Sequence, residues 1–157
     1  MATTTPAEIR TVIIARIAAL TPPTHGANLY TAHRDDRLDL RAWAAANPLG
    51  CLRRFDVETR GDTSSPEVTM VTLEQVRETF DIVIAYPESN RFSGRRGLDD
   101  VIASDLRHID YYAGTTGFSI TPTSNATIIS TQYSREQDGA VWFGVIPLEV
   151  VYWRASP

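Results

Sequence analysis

The chain has 157 residues, with 19 acidic and 15 basic side chains, a formal charge of -4 and 43 % hydrophobic residues. Every basic residue is arginine. The absence of lysine removes protein kinases, phosphate-loop nucleotidases and Schiff-base enzymes, which all rely on a lysine amine. The mild negative charge argues against a nucleic-acid binder held by many phosphate contacts, and a lone Cys51 leaves no internal disulfide and no cysteine-based zinc site.

The length fits one domain spanning residues 1–157, large enough to bury about 70 % of its unfolded surface. The apolar runs Val12 to Ala15 and Ile82 to Tyr86 fall far short of the roughly 20 residues that span a bilayer, so no membrane partner is expected. Met1-Ala2-Thr3-Thr4-Thr5 lacks a basic n-region and a long apolar stretch, so no signal peptide is read and synthesis in a cytoplasm is expected.

Thr5-Pro6-Ala7-Glu8 spells a capping box with proline at the first helical position. Ile9, Val12, Ile13, Ile17 and Leu20 then recur at helical spacing, and Thr21 to Gly26 ends the helix. Leu38 to Ala46 favours a short helix that stops at Asn47-Pro48. Cys51 to Thr59 alternates as a strand, with Cys51, Phe55 and Val57 on one face. Arg60 to Pro66 reads as a polar hairpin tip, and Val68 to Glu74 as a short strand or the start of the next one. Val76 to Tyr86 is the clearest strand, with Phe80, Ile82, Ile84 and Tyr86 on one face.

Pro87 to Gly97 reads as a loop. Leu98, Val101, Ile102, Leu106, Ile109 and Ala113 form the stripe of a second long helix, with Asp99 and Asp100 expected in its first turn and Gly114 at its end. A connector follows, with a short strand allowed at Phe118 to Ile120. Ala126 to Tyr133 reads as a strand, Glu136 to Gly139 as a turn, and Val141 to Trp153 as the last strand with a bend at Pro147. The predicted fold class is α+β: a mainly antiparallel sheet of about four strands, with two longer helices packed on it and one short helix.

The chain is poor in recognisable catalytic patterns. His33-Arg34-Asp35 opens like a kinase catalytic loop, but Leu40 stands where that loop needs asparagine. His33, Asp35, Asp36, His108 and Asp110 are chemically suitable metal ligands in no known spacing. Ser93 to Gly97 before a helix offers amides and guanidinium groups to an anion without the full phosphate-loop pattern. No Gly-x-Ser-x-Gly elbow is present, and a free cysteine at a strand start reads as a small hydrophobe. Arg60-Gly61-Asp62 and Asn125-Ala126-Thr127 match an integrin ligand and a glycosylation sequon by letter only. Catalytic, cofactor and metal residues are therefore predicted as none.

The last strand is unusual because it is apolar on both faces. Trp142, Ile146, Leu148, Val150 and Tyr152 share one parity; Val141, Phe143, Val145, Val151 and Trp153 share the other. A one-sided sheet alternates apolar with polar. Either helices cover both faces, or a second subunit covers one of them. On the second reading Trp142, Phe143, Val151 and Trp153 are the subunit-interface candidates.

This layout resembles the tail terminator, or tail completion, proteins of long-tailed bacteriophages of the lambda type. The resemblance rests on the opening helix Pro6 to Leu20, the apolar strand Phe80 to Tyr86 and the second helix Leu98 to Ala113. It also rests on the Trp43 helix followed by Leu52 to Val57, and on the closing run Ile146 to Arg154. It implies a homohexameric ring in the virion, at the tail–neck junction, that stops tail-tube polymerisation and docks the head. The implied partners are other copies of the chain, the tail tube protein and a head-closure or neck protein, with DNA passing through the channel without sequence-specific contact. It implies no active site and no cofactor. The polar loops then become partner contacts, with Arg60, Arg91, Arg95 and Arg96 facing acidic surfaces. Two alternatives stay open: a head-closure connector, and a small metal- or anion-dependent enzyme using the histidines.

Overall fold

The computed structural model describes residues 5–26, 28–59, 68–69, 72–88, 94–115, 118–120, 124–128 and 133–155. In chain order these form α1 (Pro6–Ala18), β1 (Thr31–Ala32), α2 (Leu40–Ala46), β2 (Arg54–Thr59), β3 (Val68–Thr69) and β4 (Leu73–Pro87). They continue as α3 (Gly94–Thr115), β5 (Phe118–Ile120), β6 (Ser124–Ile128), β7 (Ser134–Asp138) and β8 (Val141–Ala155). The α+β layering is as expected.

The strands run in the order β1-β2-β4-β8-β6-β5, with β3 added on β4 and β7 on β8. The four expected strands form the centre, β2-β4-β8-β6, and all pair antiparallel. β1, β3, β5 and β7 extend this frame, and among the described strands only β1 pairs parallel. β4 and β8 are the spine, matched residue for residue from Leu73 opposite Ala155 to Pro87 opposite Val141. Pro147 does not interrupt that register. It falls where the other edge of β8 changes partner, between β7 opposite 141–145 and β6 opposite 148–151.

The helices form where their caps and stripes place them. The Thr5 hydroxyl accepts from Glu8 N (3.3 Å), and the Glu8 carboxylate accepts from Thr5 N (3.0 Å), completing the capping box. Ile9, Ile13 and Ile17 are fully buried beneath that helix. Each such side chain contributes about 1.5–3 kcal/mol on leaving water. Asp39 caps α2 by accepting from Ala42 N (2.8 Å). α3 begins at Gly94, so Arg95 and Arg96 belong to its first turn rather than to a loop, and Asp99 and Asp100 lie beyond that turn.

The expected turn at Glu136 to Gly139 is also relocated. Glu136 is inside β7, and the chain reverses at Gly139-Ala140, where Gly139 takes φ +59°. The strand expected over Ala126 to Tyr133 is β6, Ser124–Ile128; residues 129–132 lie outside the described set.

Two clusters fill the interior. The larger lies between α1, α3 and the sheet face carrying Phe55, Val57, Phe80, Ile82, Ile84, Ile146, Leu148 and Tyr152. The sheet curls enough for α1 to touch β1 and β2 at one end and β5 at the other. Gly144 lets α3 come close, because a Cβ there would meet Leu106 Cδ2 at 2.9 Å. The smaller cluster lies on the opposite face, where Leu40 and Ala44 of α2 cover Cys51, Val83, Ala85, Val141, Phe143 and Val145.

Candidate functional site

Position along β8 decides which of its residues face solvent. The parity of Ile146, Leu148, Val150 and Tyr152 turns into the main core, and Trp142 packs half-buried against it. The other parity divides. Val141, Phe143 and Val145 are closed off by α2, and the Arg41 guanidinium lies 5.3 Å from the centre of the Phe143 ring. Beyond Val145 no described helix covers this face, and Pro147, Glu149, Val151 and Trp153 are half-buried. Of the four interface candidates, Phe143 is therefore interior at 1 % exposure and Trp142 belongs to the core side. Val151 and Trp153 sit on the uncovered side.

β4 completes that patch. Gln75 is opposite Trp153, Arg77 opposite Val151 and Thr79 opposite Glu149. Arg77 and Glu149 form an ion pair across the two strands. The result is a mixed patch in which Pro147, Val151 and Trp153 are flanked by Gln75, Thr79 and the Arg77–Glu149 pair.

Two of the four arginine candidates are placed by the structure. Arg60 and Arg91 lie outside the described residues. Arg95 is placed on α3 by its backbone, and Arg96 is exposed in the same turn.

The metal-ligand set does not assemble. His33, Asp35 and Asp36 line a hollow beside α1, whereas His108 and Asp110 line another on the outer side of α3. Among the described residues no three histidine, cysteine or acidic side chains are grouped to hold a metal. His33 is already committed at both nitrogens. Its Nδ1 accepts from Arg54 Nε (2.9 Å) and its Nε2 donates to Leu38 O (2.8 Å), which fixes the neutral Nε2–H tautomer. Arg54 in turn stacks on Trp43, 3.6 Å from the ring centre.

Sequence reasoning missed the most heavily bonded side chain among the described residues. Arg53 is 0 % exposed and lies at φ +52°, in the turn just before β2. It meets Asp105 of α3 through two bonds, Nε to Oδ2 (2.8 Å) and Nη2 to Oδ1 (3.0 Å). Its remaining donors reach the carbonyls of Thr24 (2.7 Å), His25 (2.9 Å) and Asn28 (3.0 Å), so all five guanidinium N–H groups are used. Tyr86 of β4 donates to Asp105 Oδ2 (2.7 Å). The Tyr30 ring lies 5.8 Å from the guanidinium carbon, with its hydroxyl buried and outside ordinary hydrogen-bond geometry.

Burial first, and then the Asp105 charge, push the pKa values of Tyr30 and Tyr86 well above the usual phenol range. With all five guanidinium donors used and no access to solvent, this cluster locks the α1–β1 loop, the β2 entry, β4 and α3 together. One signal did announce it. Asp105 falls on the apolar stripe of α3, between Ile102 and Leu106 on one side and Val101 and Ile109 along the helix, so a buried cation had to meet it.

No protein-family model matches the chain, and a search of curated proteins returns no similar sequence.

Proposed function

We propose that the chain is a ring-forming structural protein of a long-tailed bacteriophage that caps the tail tube and presents the surface on which the head docks. The observation that carries this reading is the second face of the sheet. A domain whose central strand is apolar on both sides covers only half of that second face with its own helix. The remainder, with Val151 and Trp153 beside the Arg77–Glu149 pair, suits a neighbouring subunit. The element order that carries the resemblance to tail terminators supports the same assignment: a capped opening helix, a long apolar strand, a second long helix and a closing strand.

In this role the chain does no chemistry. One surface of each subunit meets a different surface of the next, and rotation closes the contact into a ring. The tube protein lies below the ring, a neck protein above it, and DNA passes through the channel. The small-enzyme alternative loses support because His33 spends both nitrogens on Arg54 and Leu38.

Imaging virions made without this protein tests the reading. Tails of uncontrolled length, separated from filled heads, are expected. Tails of normal length would overturn it and move the assignment to the head side of the neck. At residue level, Val151→Asp and Trp153→Asp are expected to abolish assembly while leaving the thermal melt of the isolated chain nearly unchanged.

A further inference from the structure

The sheet has two surface edges on opposite sides, and their chemistry differs. Next to β1 the outer edge of β2 is closed at Val57. Arg10 Nε donates to Val57 O (2.8 Å), and the Asp56 carboxylate accepts from Val57 N (2.8 Å) while also pairing with Arg10. Such a closure blocks addition of a further strand. β1 itself is arranged differently. Thr31 N and His33 N donate inward to Arg53 O (3.0 Å) and Phe55 O (2.8 Å). The alternating Ala32 therefore points its N–H and C=O away from β2. It borders a hollow of about 600 Å³ whose far wall is Ile14, Ala15 and Ala18 of α1. An edge strand beside a helix is the geometry that accepts an added strand. The lining carries more acid than base: Asp35, Asp36 and Asp39 stand with the exposed Arg34, and Asp56 is paired with Arg10. Asp36 is exposed, and the amides of Arg37 and Leu38 donate to the Asp35 carboxylate at 2.8 and 3.3 Å, lowering its pKa.

On the opposite side β7 is the outer strand along 141–145 of β8, and β5 is the outer strand further along. All five residues of β7 are exposed. Its charges are turned above and below the sheet rather than outward, with Arg135 on Asp99 of α3 and Glu136 on Arg41 of α2. Beside it stands the first turn of α3, where Arg96 is exposed at the end of a helix whose dipole disfavours a cation. Between β1 and β7 in the sheet lie β2, β4 and β8. Because α1 and α3 share one face of the sheet, joining β7 of one copy to β1 of another brings the α3 start of the first beside the α1 hollow of the second.

We infer that the β1–α1 hollow receives the β7 edge and the α3 start of a second copy, with Arg96 of one protomer against Asp36 of the next. This contact is head to tail, so it leaves a free edge on each added copy and, where its rotation closes, builds a ring rather than an isolated dimer. The inference rests on the ring reading above and assigns that reading a subunit contact separate from the Val151–Trp153 patch.

The test is sedimentation of the full-length chain over rising concentration, with circular dichroism melts confirming the fold of each variant. Wild type is expected to self-associate. Asp36→Arg and Arg96→Asp each place like charges across the contact and are expected to weaken association at least about tenfold. An equimolar mixture of the two variants restores one native and one reversed pair, so association is expected to return. Ala32→Pro removes only an outward N–H and is expected to block association with an unchanged melt. Wild type that stays monomeric at every concentration overturns the inference together with the ring in solution. Wild type that associates while all three variants associate equally overturns the inference alone and leaves the ring to the Val151–Trp153 face. A mixture that fails to recover, with both variants folded, overturns the Asp36–Arg96 pairing.

Discussion

Arg53 and Arg54 are adjacent in sequence and differ in almost everything else. Arg53 is sealed inside the protein, with five donors used on a carboxylate and three loop carbonyls. Arg54 lies on the opposite face of the sheet, half-buried, bonded to one imidazole nitrogen and stacked on Trp43. Arg54 opens β2, while Arg53 stands in the left-handed turn just before it. What each side chain then meets depends on distant segments: α3 and the α1–β1 loop for Arg53, and α2 with the His33 segment for Arg54. The inner arginine organises four elements, whereas the outer one steadies a short helix against one strand.

The largest expected effect comes from emptying the inner site. Asp105→Ala leaves a buried guanidinium without its counter-charge and strips Tyr86 of its acceptor. A loss of about 3–5 kcal/mol is expected, a large fraction of a domain's total stability, read from urea midpoints. Replacing both partners, as in Arg53→Met with Asp105→Leu, is expected to recover only part of that loss. An ordinary buried pair recovers more fully, but here the carbonyls of Thr24, His25 and Asn28 stay without donors. Full recovery in the double variant would show that the loop bonds carry little.

Alkaline titration probes the same site from its tyrosines. Tyr30 and Tyr86 hold their protons far more tightly when folded than when unfolded, so their contribution is complete below the unfolded phenol value near pH 10. It is lost as pH rises from there toward the folded values. Each tyrosine is expected to remove about 1.4 kcal/mol of stability per pH unit above 10. In an absorbance titration of the folded chain, Tyr30 and Tyr86 are expected to stay protonated until the protein unfolds. All six tyrosines titrating together before unfolding would place Tyr86 in contact with water.

The difference between the two arginines also marks how far sequence reading reached. Capping at Thr5, the stripes of α1 and α3, and the spine strands β4 and β8 follow from local periodicity and appear where spacing put them, whereas β2 starts later, at Arg54, and β6 is shifted to Ser124–Ile128. β7 escaped because Ser134 to Asp138 is polar throughout; it is a strand only because β8 offers it an edge. The start of α3 escaped because Gly94 and Gly97 read as loop residues. Both faces of β8 were visible as apolar, yet the point where α2 stops covering one of them depends on tertiary placement. The partner of Arg53 lies 52 residues away and was legible only from the other side, as an aspartate on an apolar helical stripe.

At the outer site smaller losses are expected. Arg54→Ala removes one hydrogen bond to a neutral acceptor and one stacked cation, worth about 1–2 kcal/mol together. The change should concentrate in α2, seen as faster amide exchange at Ala44 to Asn47 with β4 protection unaltered. Equal loss of protection in β4 would mean that α2 and the sheet open as one unit, and that the two arginines differ in position rather than in reach.

The smallest effect belongs to the outermost cation. Arg41 joins Glu58 of β2 and Glu136 of β7 while lying over Phe143, with a third of its own side chain and nearly half of Glu136 exposed. Solvent screens such a pair, and the remaining Glu58 bond keeps the guanidinium in place. Glu136→Gln is therefore expected to cost under about 0.5 kcal/mol, fading further at high salt. Because Glu136 is one of two charges that tie β7 to the helical layers, the same variant should still loosen that edge strand locally. Amide exchange at Arg135 and Gln137 is expected to quicken while the global melt holds. A fall in global stability as large as that of Arg54→Ala would show that β7 folds with the core, and that its exposed edge is as firmly built as the strands inside it.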